Sequence, residues 1–286
     1  MNVSLNRTTV PLVLSIAGLD PSGGAGVYAD IKTFSSLNVW GMGVVTTLTN
    51  QDSKNFRKLL PVDKDYFNDT IQDLFENHNF AAIKIGLITQ EYQIDKISEC
   101  IKKYKHGIVV MDPVMGASTG FNFWDEKVSA SIVEKLIPYV DAISPNYVEA
   151  MAILKILDVS NLAEINRKEI VRLLHKQFRC KVALTGGDAA FLSSDEHEGK
   201  VEDIFYDGLE LKHRIGTFID IPSHFKHGTG CTFSSALASY LAMGEDFVSS
   251  CFKSAFFVEN ALNNIMSFGK NNGGLDQNSF FRGVNR

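Results

Sequence analysis

The segment best suited to chemistry is His227-Gly228-Thr229-Gly230-Cys231-Thr232, which leads directly into a predicted helix. Two glycines and small side chains at a helix start leave several backbone N–H groups free to converge beside the positive end of the helix dipole. We therefore expect an anion to bind there. Cys231 falls in the first turn, where the same field favours the thiolate and lowers the pKa of the thiol. The alternative interpretation is that Cys231 is a small buried hydrophobic residue.

A second glycine-rich loop, Gly18-Leu19-Asp20-Pro21-Ser22-Gly23-Gly24-Ala25-Gly26, follows the first apolar run and leads into another predicted helix. Such a loop lets the backbone approach a ligand closely and can aim amide N–H groups at it. It matches neither the dinucleotide fingerprint nor the Walker loop. A glycine turn that only allows tight packing of a strand against a helix explains it equally well.

Polar residues follow later apolar runs, at the strand ends where parallel sheets place their sites. Gln51 could offer an acceptor and two donors to a heteroaromatic ring, although exposed loop glutamines are common. Asp112 follows a buried run, which is costly unless a metal–phosphate complex or a helix N-terminus compensates the charge. Asn146 and Glu149 are one helical turn apart and also fit a capping box.

The elements that must position these residues follow from hydrophobic periodicity. Short apolar runs, too short for helices, lie at 10–16, 43–48, 81–85, 108–111, 142–144 and 181–185. Segments of helical period separate them, at 29–37, 67–75, 93–103, 129–136, 147–154 and 167–178. This alternation predicts an α/β fold with a mostly parallel sheet covered by helices on both faces.

The pattern changes after residue 187. The segments 201–206 and 209–214 flank Asp207-Gly208, which predicts an antiparallel hairpin at the sheet edge. Helices are predicted at 232–241 and 247–265. No linker or repeat divides the chain, so we predict a single domain over 1–286, with an ordered core of about 10–266 and a partly flexible tail rich in Asn and Gly.

Composition limits the function classes. The formal net charge of −5 gives no basic excess for binding nucleic acid backbones, so we expect no nucleic acid partner. The first apolar run is short and interrupted by Pro11, which excludes it as a membrane span or secretory signal. The four cysteines form no Cys-x-x-Cys pair and suit a reducing compartment. We expect a cytoplasmic protein without a membrane partner, in which Cys100, Cys180 and Cys251 are core residues.

Together these segments resemble the hydroxymethylpyrimidine/phosphomethylpyrimidine kinases, which are thiamine-biosynthesis members of the ribokinase superfamily. The resemblance runs from about residue 10 to 257 and is carried, in the family's order, by 18–26, 29–34, 46–51, 84–86, 112–115, 144–149, 185–187 and 227–232. It implies a ribokinase-like three-layer α/β/α sandwich. The first and last of these blocks are specific to this branch and its pyridoxal-kinase relatives, whereas Asn-x-x-Glu and Thr-Gly-Gly are shared more widely.

The resemblance implies ATP- and Mg²⁺-dependent phosphorylation of 4-amino-5-hydroxymethyl-2-methylpyrimidine and then of its monophosphate. Cys231 would be the main catalytic side chain, and Gly228 and Gly230 would belong to the anion hole for the γ-phosphate. The residues that would bind the acceptor are Gly18, Asp20, Gln51, Leu87, Val114 and Met115. Those that would bind the nucleotide and its metal are Asp112, Asn146, Glu149, Thr185, Gly186, Gly187 and Thr229. Within this set the metal would be held by Glu149, by Asn146 through water, and by Asp112.

Departures from the family pattern keep other acceptors open. Leu19 replaces the usual Ser or Thr, the stretch 116–120 lacks the usual Lys, and 216–226 is unusual in composition. The alternatives are a pyridoxal kinase of the same branch and a non-catalytic, pyrimidine-binding sensor. The partner implied in each case is a small molecule, and the relatives imply a homodimer.

Overall fold

A computed structural model of the chain describes residues 9–104, 106–116, 123–186, 200–217, 219, 221–268 and 272–279. The strands are β1 (Leu12–Leu19), β2 (Trp40–Gln51), β3 (Phe56–Pro61), β4 (Ala82–Ile85), β5 (Ile108–Met111), β6 (Ala142–Ile143), β7 (Lys181–Leu184), β8 (Lys200–Tyr206), β9 (Leu211–Thr217), β10 (Met266–Phe268) and β11 (Asn272–Gly274). The α-helices are α1 (Gly26–Ser36), α2 (Lys64–Asn77), α3 (Glu91–Lys103), α4 (Glu126–Ser131), α5 (Tyr147–Ile156), α6 (Arg167–Phe178), α7 (Thr229–Ala242) and α8 (Phe247–Asn263).

The central sheet has nine strands in the order β3-β2-β1-β4-β5-β6-β7-β8-β9. Six neighbouring strands of this order, β2, β1, β4, β5, β6 and β7, run parallel to one another. β8 and β9 form the predicted antiparallel hairpin at one edge. The predicted mostly parallel α/β architecture is therefore confirmed. The opposite edge carries a second antiparallel strand, β3, which the periodicity did not reveal because this mostly exposed strand includes Arg57 and Lys58.

Two hydrophobic clusters lie on opposite faces of the sheet and make the fold three-layered. On one face Leu14, Ile83 and other large strand residues pack against helices α2 to α6. On the other face α1, α7 and α8 meet smaller strand residues such as Ala82, Ala142 and Ala183. Small residues on this side let α7, itself rich in buried Ser and Ala, lie close to the strands.

Helix α7 begins three residues earlier than its apolar period indicates. Gly228 precedes it with φ of 86°, a left-handed conformation in which L side chains are strained. The chain can therefore enter the helix at Thr229, and Cys231 is the third helical residue, in the first turn as predicted. The amides of the glycine-rich segment are thus those of a helix start.

The chain after α8 returns to the body of the protein. Within the described residues, β10 and β11 pair as a short hairpin, and Leu275, Asp276 and Gln277 are buried. The single-domain organisation, with its ordered core of about 10–266, stays a prediction. Among the described residues, no helix combines the length and apolar character that crossing a membrane requires.

Candidate active site

The carboxyl ends of the parallel strands meet at one edge of the sheet, and hydrogen bonds continue the strand pairing beyond them. Asp112 N donates to Ile85 O at 2.8 Å, and Thr185 N donates to Pro145 O at 3.0 Å. The residues that follow β4, β5, β6 and β7 therefore stand in a row. This edge is where a parallel sheet presents its ligand site.

The two glycine-rich loops pack directly against each other at this edge. A Cβ on Gly228 would lie 1.8 Å from the carbonyl oxygen of Gly24, so only glycine allows this approach. Gly26 has φ of 59°, and a Cβ there would lie 2.1 Å from the carbonyl oxygen of Gly18. Backbone packing therefore accounts for two of the glycines and brings the start of α7 beside the start of α1.

Asp20 joins the two loops through its side chain, which is 1% exposed. Its carboxylate accepts hydrogen bonds from Ser22 N at 2.9 Å, Ser22 Oγ at 2.8 Å and Ala25 N at 2.9 Å, and it pairs with His227 Nε2 at 2.8 Å. Burial raises the pKa of Asp20, but His227 and Ser22 together lower it below its usual value. Because these contacts lie within the protein, Asp20 holds the loops together; its predicted contact with an acceptor stays a prediction.

A buried ion pair lies beneath the first turn of α7. Lys84 is 0% exposed, and its Nζ lies 3.0 Å and 3.1 Å from the two carboxylate oxygens of Asp30. Asp30 also accepts from Ser15 Oγ at 2.5 Å and Ser235 Oγ at 2.6 Å, so β1, β4, α1 and α7 share one carboxylate. Burial lowers the pKa of Lys84, but the neighbouring carboxylates outweigh it and raise that pKa above its usual value.

Asp112 lies on the other side of Lys84, with its Oδ2 4.0 Å from Lys84 Nζ. Ser234 Oγ donates to the same oxygen at 3.1 Å, and a Cβ on Gly230 would lie 3.8 Å from it. Burial raises the pKa of Asp112, while Lys84 and the Ser234 hydroxyl oppose the shift. We predicted that a helix N-terminus would compensate the cost of burying the charge of Asp112. This is present in part, because the carboxylate lies against the first turns of α7.

Cys231 lies between these charges and is partly exposed. Burial of the thiol raises the pKa of Cys231 to about 12; Lys84 opposes this shift, and Asp112 and Asp30 add to it. The expectation that the helix field lowers this pKa is wrong here, because desolvation and two carboxylates outweigh the field and the lysine. The catalytic role of Cys231 stays a prediction. The predicted core thiols are confirmed as buried: Cys100, Cys180 and Cys251.

Asn146 and Glu149 form the capping box that the sequence left open. Asn146 Oδ1 accepts from Glu149 N at 2.9 Å, and Glu149 Oε2 accepts from Asn146 N at 2.9 Å. Asn146 also bridges Thr185 across the ends of β6 and β7. Both side chains therefore cap α5 at the same edge that carries Asp112.

The donor chemistry at this edge fits one kind of metal. Among the described residues, no group of three or more His, Cys, Asp or Glu could hold an ion by itself. Mg²⁺ needs only one or two carboxylates when water and substrate phosphates supply its other ligands. The oxygens of Glu149, Asn146 and Asp112 suit such an ion and do not suit one that the protein holds alone.

On the predicted acceptor side, Gly18 and Leu87 are neighbours, because a Cβ on Gly18 would lie 3.0 Å from Leu87 Cδ2. Gln51 is the last residue of β2, and Val114 and Met115 follow β5 as half-buried residues. These positions come from four strand ends of the same edge, those of β1, β2, β4 and β5. They provide apolar walls and one amide, while their contact with an acceptor stays a prediction.

On the predicted nucleotide side, Gly186 follows β7, and Gly187 lies outside the described residues. Gly186 N donates to Asp203 Oδ1 at 2.8 Å, and Arg214 Nη1 donates to Asp203 Oδ2 at 3.0 Å. Arg214 Nη2 lies 2.5 Å from Glu259 Oε1. The segment Thr185-Gly186 is therefore connected through Asp203 and Arg214 to Glu259 of α8.

Sequence reasoning assigned no role to His227, Asp30, Lys84 or Asp203, although these residues organise the edge. The available signal was a charge in an apolar setting: Lys84 is the one polar residue of β4, and Asp30 lies on the buried side of α1. A buried charge without a partner is costly, so each such position predicts a partner elsewhere in the chain. The sequence does not reveal which partner it is.

The mostly parallel sheet and the glycine-rich helix start at its carboxyl edge define a phosphotransferase of the ribokinase-like class. The sequence profile of the phosphomethylpyrimidine kinase family matches residues 20–276. A hydroxymethylpyrimidine/phosphomethylpyrimidine kinase of Bacillus subtilis is 31% identical over 269 residues, which are 94% of this chain and 95% of that protein. The chain belongs to the phosphomethylpyrimidine kinase family.

Two further comparisons bear on this assignment. The structure of a pyridoxal kinase from Staphylococcus aureus in complex with pyridoxal superposes with a TM-score of 0.81 at 26% identity, covering 96% of each chain. A Schizosaccharomyces pombe relative is 31% identical over 250 residues, which are 85% of this chain but only 45% of that protein. The chain thus spans about half the length of some relatives and nearly all of others.

Proposed function

We propose that the protein is an ATP-dependent kinase that phosphorylates the hydroxymethyl group of 4-amino-5-hydroxymethyl-2-methylpyrimidine and then the resulting monophosphate, in thiamine biosynthesis. The observation that carries this proposal is the direct packing of the two glycine-rich loops, with Gly228 against Gly24 and His227 against Asp20. It sets the helix start that suits a γ-phosphate beside the loop assigned to the acceptor. The family match agrees with this arrangement.

Transfer of a phosphoryl group depends mainly on alignment and on stabilising charge, because its transition state needs little covalent help. The amides at Gly228, Thr229 and Gly230 would bind the transferred group at the positive end of α7. Cys231 would hold the attacking hydroxyl by a hydrogen bond. A thiol with a pKa of about 12 can do this without being ionised beforehand.

Mg²⁺ would be held by Glu149, by Asn146 through water, and by Asp112, and it supplies neutralising charge at the phosphate oxygens when bound. Glu149 and Asn146 would do so from the start of α5, where each side chain accepts a hydrogen bond from the backbone N–H of the other residue. Thr185, Gly186, Gly187 and Thr229 would lie along the nucleotide phosphates. Asp203 would fix this side through the amide of Gly186.

The acceptor would lie between Gly18, Leu87, Val114 and Met115, with Gln51 pairing to the ring nitrogen and exocyclic amine. Asp20 would not contact the acceptor itself and would instead hold in place the loop that contains Gly18. The amide of Gln51 offers one acceptor and two donors, which can match the ring nitrogen and the exocyclic amine that a sugar lacks. This is the part of the proposal that fixes the substrate.

Pyridoxal is the second candidate acceptor, since a pyridoxal kinase shares the fold over 96% of both chains. The deciding experiment measures kcat/KM for the pyrimidine alcohol, its monophosphate and pyridoxal, each with saturating Mg-ATP. We expect the two pyrimidines to be preferred over pyridoxal. A clear preference for pyridoxal overturns the pyrimidine assignment, and no ADP above background with any acceptor supports the non-catalytic sensor instead.

We further propose that the protein is a cytoplasmic homodimer. Leu48 of β2 and Leu60 of β3 are paired across the two strands, and both are exposed, at 44% and 63%. Trp40 of β2 is 61% exposed. Large apolar side chains on an edge ribbon favour association. Light scattering after gel filtration should give twice the chain mass for the wild type and a lower mass for Leu60→Asp; a wild-type monomer would contradict the dimer.

A further inference from the structure

The described residues 272–279, which we name the C-terminal strap, include a buried stretch, 273–277, although their sequence is rich in Asn and Gly. Leu275 is 4% exposed, Asp276 7% and Gln277 2%. A segment without an apolar pattern becomes buried only when specific contacts hold it. The strap therefore owes its position to polar and backbone contacts with other elements.

Three hydrogen bonds tie the strap to three helices. Ser36 Oγ at the end of α1 donates to Asn278 Oδ1 at 2.6 Å. Gln277 Nε2 donates to Thr232 Oγ1 at 3.3 Å, in the first turn of α7 and directly after Cys231. Asp276 N donates to Ala261 O of α8 at 3.4 Å. The strap thus connects the helix that follows the acceptor loop with the helix that carries the anion loop.

The strap also faces both glycine-rich loops. A Cβ on Gly273 would lie 2.3 Å from Phe225 Cε1, two residues before His227, so the strap backbone is in direct contact with this approach to α7. A cavity of about 80 Å³ separates the strap from Ser22, Gly23, Gly24, Lys32 and His227. This volume is far below the several hundred Å³ of an ordinary ligand pocket.

Lys32 extends the connection to the acceptor loop. Its Nζ donates to Gly23 O at 2.5 Å. Burial lowers the pKa of Lys32, while the negative charges of Asp20 and Asp276 oppose that shift. One ammonium therefore lies in the field of a loop carboxylate and of a strap carboxylate, and it holds the loop backbone directly.

We propose that the C-terminal strap is a positioning element of the active site and that Gln277 is its principal positioning residue, which fixes the first turn of α7 relative to the loop at residues 18–26. Gln277 acts through Thr232 and touches no reacting group. Since a small misalignment of reacting groups is costly, loss of this hydrogen bond lowers the rate of transfer. The kinetic part of this inference rests on the proposed kinase function.

The test compares Gln277→Met, which keeps the side-chain volume and removes the donor, with Asn264→Ala, which removes an exposed hydrogen bond at the end of α8. The first measurement is amide hydrogen exchange, which does not depend on activity. We expect Gln277→Met to speed exchange about tenfold in 229–234 and 18–26, with α3 and α6 unchanged. Unchanged exchange at both loops, or faster exchange throughout the chain, overturns the proposal.

The second measurement is steady-state kinetics with the preferred acceptor. We expect Gln277→Met to lower kcat about tenfold while KM for Mg-ATP stays within about twofold. Asn264→Ala should match the wild type. If the wild type phosphorylates no acceptor, the proposed function fails while the exchange experiment still decides the role of the strap.

A double-mutant cycle with Thr232→Val tests whether Gln277 acts through Thr232. If it does, the loss of kcat in the double variant should equal that of either single variant, because both remove the same hydrogen bond. Fully additive losses would show that Gln277 does not act through Thr232 and would overturn its proposed role.

Discussion

The two halves of the sheet edge are built by different means. The acceptor half is fixed by buried side-chain contacts between residues far apart in the chain: the hydrogen bond of Asp20 with His227 and the ion pair of Asp30 with Lys84. In the nucleotide half, the proposed metal-binding residues Asn146 and Glu149 are instead held by a local capping box and are three residues apart. The difference suggests that the acceptor loop is formed before any ligand arrives. Asn146 and Glu149 are instead held by two capping-box hydrogen bonds, which a phosphate-bound ion could replace.

The strongest test of the acceptor half is Lys84→Met. The substitution leaves Asp30 buried without its cation, which should lower the free energy of unfolding by about 3–5 kcal/mol. Urea unfolding followed by circular dichroism measures this change. The matched control is Lys135→Met, which breaks an exposed ion pair with Asp95 and should change the free energy of unfolding far less than Lys84→Met does. If the two substitutions lowered the free energy of unfolding equally, the ion pair of Lys84 with Asp30 would not be what stabilises the acceptor half.

Cys231→Ala tests the meeting point of the two halves. We expect kcat to fall about 10²-fold, because the attacking hydroxyl loses the hydrogen bond that aligns it, while the Kd for Mg-ATP changes less than about threefold. The control is Cys100→Ala, a buried thiol remote from the edge, whose kcat should match the wild type. Unchanged kcat in Cys231→Ala would take this residue out of the mechanism.

The bond between Asp20 and His227 predicts a pH dependence of stability. The pKa of Asp20 is lowered from 3.8 on folding, so its carboxylate stabilises the protein above that pH and loses this effect as the pH falls through the lower folded value. At pH 7, Asp20→Asn should therefore lower the free energy of unfolding by about 1–3 kcal/mol. Urea unfolding from pH 7 to pH 3 should show the gap from the wild type narrowing below about pH 4. A gap that widens on acidification would contradict the assignment.

The smallest effect on stability is expected on the nucleotide side. Glu149→Gln keeps an oxygen that can accept a hydrogen bond from Asn146 N. The free energy of unfolding, measured by thermal unfolding, should therefore change by less than about 1 kcal/mol. The loss of the carboxylate should still raise KM for Mg-ATP several-fold and increase the Mg²⁺ concentration needed for half-maximal rate. Glu169→Gln, in the equivalent capping box of α6, is the control that should leave both constants unchanged. A large stability loss in Glu149→Gln would erase the contrast between the two halves.

The sequence could predict most of the fold because strand burial and helix period are local patterns. The alternation of runs gave the parallel sheet, and Asp207-Gly208 gave the edge hairpin. The strand β3 escaped because a charged, half-exposed edge strand has little apolar pattern. The observed ends of elements differ from the predicted ones where one backbone conformation decides them. An example is the start of α7, which follows Gly228.

The candidate site was less predictable because its chemistry depends on distant partners. The glycine-rich segments, Asp112 and Asn146 could be placed at the strand ends, and the structure brings these ends together. The pKa of Cys231 was predicted in the wrong direction, since the sequence does not show that Asp30 and Asp112 lie beside the thiol. The strap at 272–279 was missed because polar contacts leave no periodic pattern.

The bond between Asp20 and His227 also constrains how the site assembles as the chain is made. Its two residues are 207 positions apart, so the 207 residues that follow Asp20 must be synthesised before the loop at residues 18–26 can close against its partner. Domains of this length fold through intermediates, and contacts of such long range form late. The nascent chain therefore carries an unfinished acceptor loop until α7 has been synthesised, and the site is completed only when α7 docks on the sheet.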